Sequence, residues 1–142
     1  MRSTGVLLIA SAFFELLSVT SPVPFLGAVR DGAAAFLYHG VFAVTFTLMG
    51  AGLWQGAPWG YRVVMAGMGI YTLDRVRYLL DHAAREAELQ QQTQGLGQLF
   101  DLVDEQLFHQ VVSGVTLGVL VSALGFALYV HVRRDYFQPP MG

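Results

Sequence analysis

Apolar residues dominate this chain in four long blocks, separated by short polar or Pro/Gly-containing breaks. The first block starts at Gly5, meets Pro22 and Pro24, and ends before Arg30-Asp31-Gly32. Its tail, Phe25 to Val29, could complete a crossing or lie at an interface. The second runs from Ala33 to Trp54 and stops at Gln55-Gly56-Ala57-Pro58, a turn bracketed by Trp54 and Trp59. The third starts at Trp59 and passes without a break into charged residues. The fourth is led in by Leu99, Leu102, Val103 and Leu107 at helical spacing and continues to Val130. Runs near 20 residues match the length a helix needs to cross a ~30 Å hydrocarbon layer. The pattern predicts an all-α protein, a four-transmembrane-helix bundle forming one domain over 1–142. The spans fall at about 5–29, 33–54, 59–80 and 107–130, with an extramembrane loop over 82–106.

The third block predicts the longest helix. Asp74, Arg77, Asp81, Arg85 and Glu88 alternate in sign at spacings of three, four, four and three, which places them on one face. One helix from about Pro58 to Gln91 is expected, extending beyond the membrane with a solvated charged face. The polar stretch Gln90 to Gly97 would be a loop, and an amphipathic lead-in would feed the fourth span. Arg2 and the following apolar run resemble a secretory leader in shape. Glu15 interrupts that run, and no small-residue cleavage pattern precedes Ser21-Pro22, so a retained helix is expected.

Composition agrees with this picture. Of 142 residues 54% are hydrophobic and 13% charged, against about 25% charged in a soluble domain. The net charge of −2 offers no basic field for nucleic acid. The absence of cysteine excludes disulfides, thiol redox chemistry and thiolate metal ligands. All eight basic residues are Arg, so lysine Schiff-base chemistry is excluded as well. Arg2, Arg133 and Arg134 favour cytoplasmic termini under the positive-inside rule, against competing weight from Arg75, Arg77 and Arg85. A bacterial-type cytoplasmic membrane is the expected location.

The informative exceptions are ionisable residues inside apolar blocks. Charge in hydrocarbon is costly, so such residues face a bundle interior or a wet cavity. Alternating spans bring Glu15, His39, Asp74 with Arg75, and His109 to the same half of the bilayer. Counting the helical rise from the turns puts them at similar depth. Glu15, His39, Tyr71, Asp74, Arg75 and His109 are therefore candidates for a polar pocket in the non-cytoplasmic half. In the plainer alternative Glu15 simply pairs with Arg75 or Arg77 to lock the helices.

No catalytic signature accompanies these residues, and whether the chain is an enzyme stays open. The leading expectation is a non-enzymatic binding, transport or accessory protein, with carboxylate protonation coupled to a ligand. A second expectation is a redox subunit. There His39 and His109, from two spans, would bracket a haem, or join Glu105 around a divalent metal; Asp101, Glu105 and His109 share one stripe. A third is a structural subunit of a larger membrane complex, docking a protein partner through the 82–106 loop. Gly114, Gly118 and Ser122 form a small-residue stripe that permits close helix contact, either within the protomer or in a homo-oligomer. The lipid bilayer is the expected common partner.

Overall fold

A computed structural model describes residues 1–25, 28–83, 85–87 and 105–138. The chain is mostly helical. In order it forms α1 (Arg2–Leu17), a hairpin of β1 (Val23–Phe25) and β2 (Ala28–Arg30), α2 (Gly32–Gln55), α3 (Pro58–Leu80) and α4 (Glu105–Val132). A 3₁₀ turn, Arg134–Phe137, closes the described part.

The first block departs from expectation. Helix α1 ends at Leu17, with the Ser18 N–H bonded to the Phe14 carbonyl, rather than continuing towards residue 29. Pro22 and Pro24 cannot donate backbone hydrogen bonds, so the chain leaves the helical ladder and turns back on itself. The hairpin pairs Val23 with Arg30, Pro24 with Val29 and Phe25 with Ala28. A two-stranded sheet has only edges, which is where proline is tolerated in a strand.

Helices α2 and α3 are bounded by local chemistry. Helix α2 ends at Gly56, whose φ of +63° is the left-handed cap that glycine adopts without strain. Two residues later Pro58 opens α3, where a missing N–H costs nothing. Helix α3 stops at Leu80, capped by Asp81, and helical backbone resumes at 82–83 and 85–87. The single helix expected to reach Gln91 is therefore broken at Asp81. Arg85, expected on a solvated face, is instead buried at 9% exposure. Its guanidinium donates to the Ser113 hydroxyl of α4 at 2.9 Å and lies 2.8 Å from His82 Nδ1.

Each helix packs on the next in sequence: α1 on α2, α2 on α3, α3 on α4. Small residues set the first two interfaces. A Cβ on Gly5 would lie 2.8 Å from the Gly50 carbonyl oxygen. One on Gly60 would lie 2.6 Å from the Gly52 oxygen. Such close approach is how helices associate when burial from water supplies no drive. Met49, Leu53 and Val64 are fully buried, and Phe42, Phe46 and Tyr71 stack at ring separations of 5.8 to 6.2 Å. Helix α4 touches the rest through a narrow stripe in which Thr116, Ala123 and Val130 are buried at seven-residue intervals. Gly114 and Gly118 lie on its open side, with nothing within 4 Å of a Cβ built on either. Among the described residues, then, that stripe is not used for packing within the protomer.

The two ends of the molecule differ. At one end the α2–α3 turn meets the C-terminal 3₁₀ turn, where the Tyr136 hydroxyl donates to the Leu53 carbonyl at 2.8 Å. Met1 shares a cavity of about 360 Å³ there with Tyr129, Arg133, Asp135 and Tyr136. At the other end lie the hairpin and the end of α3.

Among the described residues two helices, Gly32–Gln55 and the segment Gln110–Val132 of α4, are long and apolar enough to cross a membrane.

Candidate functional site

Consecutive residues on a helix point about 100° apart, so Tyr38 and His39 of α2 reach opposite neighbours. His39 faces α1. Its Nδ1 lies 2.7 Å from Glu15 Oε2, and its Nε2 lies 3.3 Å from the Ser21 carbonyl oxygen in the turn after α1. A carbonyl only accepts, so Nε2 carries a hydrogen. One further proton then belongs to the Nδ1–Oε2 contact, on the imidazole or on the carboxyl. Either placement leaves the pair with no net charge. That suits an environment where an unpaired charge is expensive.

Tyr38 faces α3. Its hydroxyl donates to Asp74 Oδ2 at 2.9 Å. Arg75 Nε stands 3.6 Å from the same oxygen, an ion pair longer than a hydrogen bond. That Nε is buried and has no hydrogen-bond partner. The guanidinium lies over the Tyr71 ring, 5.1 Å from its centroid, so the carboxylate field and the ring face hold it together. The two assemblies touch through their α2 members, because the Tyr38 and His39 rings meet edge to face at 5.6 Å.

Of the residues singled out from sequence, Glu15, His39, Tyr71, Asp74 and Arg75 thus sit in one layer spanning α1 to α3. Glu15 pairs with His39, rather than with Arg75 or Arg77 as in the plainer alternative. Arg75 belongs to Asp74 and Tyr71. Tyr38, which sequence reasoning passed over, is the link between the two groups. Its signal was its place beside His39 on a helix flanked by two ionisable partners. His109 falls within α4, but its side chain and that of Glu105 lie outside the described residues, as do Asp101 and residues 88–104 of the loop. Among the described residues no three His, Asp or Glu side chains cluster to hold a metal. Both nitrogens of His39 already have partners, so ligation by His39 would require breaking one of those contacts.

The cavity at this level differs from the expected polar pocket. It is a groove of about 480 Å³ between α2 and α3, lined by Ala34, Leu37, Tyr38, Val41, Phe42, Ile70, Leu73, Asp74 and Arg77. Only Tyr38, Asp74 and Arg77 are polar. Asp74, whose Oδ2 is engaged by Tyr38 and Arg75, is one of the groove-lining residues. The volume is within the ~300–1,000 Å³ range of small-molecule sites.

Comparison with known proteins finds no matching family model, no matching curated protein and no matching solved structure. The functional reading therefore rests on this chain's own residues and geometry.

Proposed function

We propose that the chain is a four-span integral membrane protein of the non-enzymatic binding or transport class. Its termini would be cytoplasmic, in a bacterial-type cytoplasmic membrane, and its polar layer would lie in the non-cytoplasmic half. The observation that carries the reading is an inverted distribution of exposure along α1 to α3. Leu73 is 70% exposed beside Asp74, and Phe14 is 66% exposed beside Glu15. The side chains of Glu15 and Asp74 are only 23% and 18% exposed. Water would reverse that order; hydrocarbon favours it. Helix α1 has 16 residues and α3 has 23, rising ~24 and ~35 Å. Helix α3 is long enough to cross, and α1 falls short of a ~30 Å core, so residues after Leu17 would have to complete its crossing. The meeting of Met1 with Tyr136, and of Tyr136 with Leu53, at one end of the molecule supports an even number of crossings. The α2–α3 groove supports a binding role.

A second reading, an accessory subunit, draws support from α4. It turns Gly114, Gly118 and Ser122 outward, where a helix of another chain or copy could approach closely.

The chain contains no cysteine, so single-cysteine variants report topology cleanly. Ser21→Cys and Asp81→Cys should react with a membrane-impermeant thiol reagent from outside intact cells. Ser3→Cys, Gln55→Cys and Gln138→Cys should react only after permeabilisation. Labelling of Ser3→Cys and Ser21→Cys from the same side would rule out the four-span reading.

A further inference from the structure

The His39 ring faces two acceptors at once. Its Nδ1 lies 2.7 Å from Glu15 Oε2 and its Nε2 lies 3.3 Å from the Ser21 carbonyl oxygen. The Ser21 contact needs a hydrogen on Nε2, because a carbonyl cannot donate. The Glu15 contact needs a second hydrogen, on Nδ1 or on the carboxyl, because a bare Nδ1 and a carboxylate oxygen are both acceptors. Two hydrogens therefore hold the two contacts. A neutral imidazole beside a carboxylate has only one.

When the pair gives up a proton to water, the remaining hydrogen can serve one side only. On Nδ1 it makes a charge-assisted bond to the carboxylate, roughly twice as strong as a neutral bond. On Nε2 it would make the longer, neutral bond to Ser21 and leave two acceptors facing each other at 2.7 Å. Nδ1 is the favoured place, and Nε2 then turns a lone pair towards the Ser21 carbonyl. That contact opens. The outcome is the same whether the released proton came from the imidazole or from the carboxyl.

The segment set free is defined by the chain. The Ser21 N–H bonds to the Ser18 carbonyl at 2.8 Å, in the turn that follows α1. Val23, at the root of the hairpin, is buried and anchored in its own right. His39 ties the stretch between them, residues 18–22, to α2. The other charged groups around the pair come in couples of opposite sign. From α3, Asp74 and Arg75 stand 3.6 Å apart, with the Tyr38 hydroxyl of α2 on Asp74 and the Tyr71 ring under Arg75. Beside the hairpin, Arg30 and Asp31 are exposed. Helix α4 packs on α3.

We propose that Glu15 and His39 form a proton-binding site, whose loaded form ties the turn after α1 to α2 and whose proton release lets that turn go. The turn is tied at low pH and free at high pH, since any further proton keeps hydrogens on both nitrogens. The hydrogen count is the same in water and in lipid, which makes the site independent of the membrane reading.

The test uses the full chain with nitrogen-15 histidine, purified in mild detergent and titrated from about pH 5 to about pH 10, an interval bracketing the ordinary histidine range. The nitrogen shifts show which ring atom carries a hydrogen, and His39→Gln assigns the signals. His39 Nε2 should carry a hydrogen at the acidic end and lose it at the alkaline end, with Nδ1 protonated there. An isolated neutral imidazole favours the opposite tautomer. A spin label on Thr20→Cys, an exposed site in a chain without native cysteine, should gain mobility over the same pH interval. In Glu15→Gln the amide donates to Nδ1 without a titrating proton. There Nε2 should keep its hydrogen throughout, and the label should lose its pH response. A wild-type Nε2 that keeps its hydrogen over the whole interval would overturn the proposal. So would label mobility that does not follow His39, or an unchanged pH response in Glu15→Gln.

Discussion

Glu15 and His39 form the contact whose removal is easiest to interpret, because each is the other's side-chain partner. Replacing either by Ala leaves a polar group between helices without its mate. A double-mutant cycle of Glu15→Ala and His39→Ala, read from unfolding free energies in bicelles, should give a coupling of about 0.6–1.7 kcal/mol. The same cycle between Glu15→Ala and Arg75→Ala should give a clearly smaller value; comparable coupling there would mean that the carboxylate pairs with Arg75 after all. Tyr38→Phe removes the hydroxyl from Asp74 Oδ2 and leaves that oxygen the long ion pair with Arg75. It should cost about 1–3 kcal/mol in the same assay, because a buried carboxylate loses a donor. Replacing the exposed neighbour, Leu37→Ala, should cost less than Tyr38→Phe, since Leu37 is 65% exposed. The level of Glu15, His39 and Asp74 was legible in the sequence, because helical rise counted from a turn fixes depth. Their pairing was not. Depth leaves rotation about each helix axis free, and rotation decides whether Glu15 meets His39 or Arg75.

The same distinction holds for whole elements. The limits of α2 could be read within a residue or two from Asp31-Gly32 at one end and Gly56-Pro58 at the other. The hairpin after α1 could not, because six strand residues, one of them Pro24, carry no usable period. The break at Asp81 was hidden for another reason. A ladder of alternating charges suits a continuous helix only if its face stays in water, and Arg85 is instead drawn onto Ser113 of α4. Helix packing gives a sharp comparison among glycines. A Cβ at Gly60 would lie 2.6 Å from a backbone oxygen of α2, whereas Cβ atoms at Gly114 and Gly118 would meet nothing. Gly60→Ala should therefore destabilise, since two helix backbones must move apart. Gly118→Ala should be neutral or stabilising by up to ~1 kcal/mol, the helix-propensity gain over glycine. Thermal unfolding in detergent compares the two. Destabilisation by Gly118→Ala would mean that the outer face of α4 is covered in solution, and a shift in oligomer mass by light scattering would show whether a second copy covers it.

For the molecule as a whole, the surrounding solvent decides how its surface is read, and α4 shows this most sharply. The most apolar 18-residue window of its Gln110–Val132 segment has a mean hydropathy of 2.2, with only 6% of that window buried. In water such a helix would expose a continuous apolar surface, which monomeric soluble proteins avoid. In lipid the same surface is the normal exterior. A single substitution separates the two cases. Val121 is 62% exposed and lies midway along that segment. On a water-facing helix, Val121→Arg would change stability by no more than about 0.5 kcal/mol. At the centre of a spanning helix it should raise the apparent insertion free energy by about 3–4 kcal/mol. A glycosylation-based insertion assay on the α4 segment, wild type against Val121→Arg, measures that difference directly. Moving the arginine to Val132, at the helix end, should cut the cost sharply, because a long side chain there reaches the interface. A position-independent cost, or none at either site, would remove the bilayer from the account of this protein. The inverted exposure of Leu73 and Asp74 would then need a protein partner to explain it.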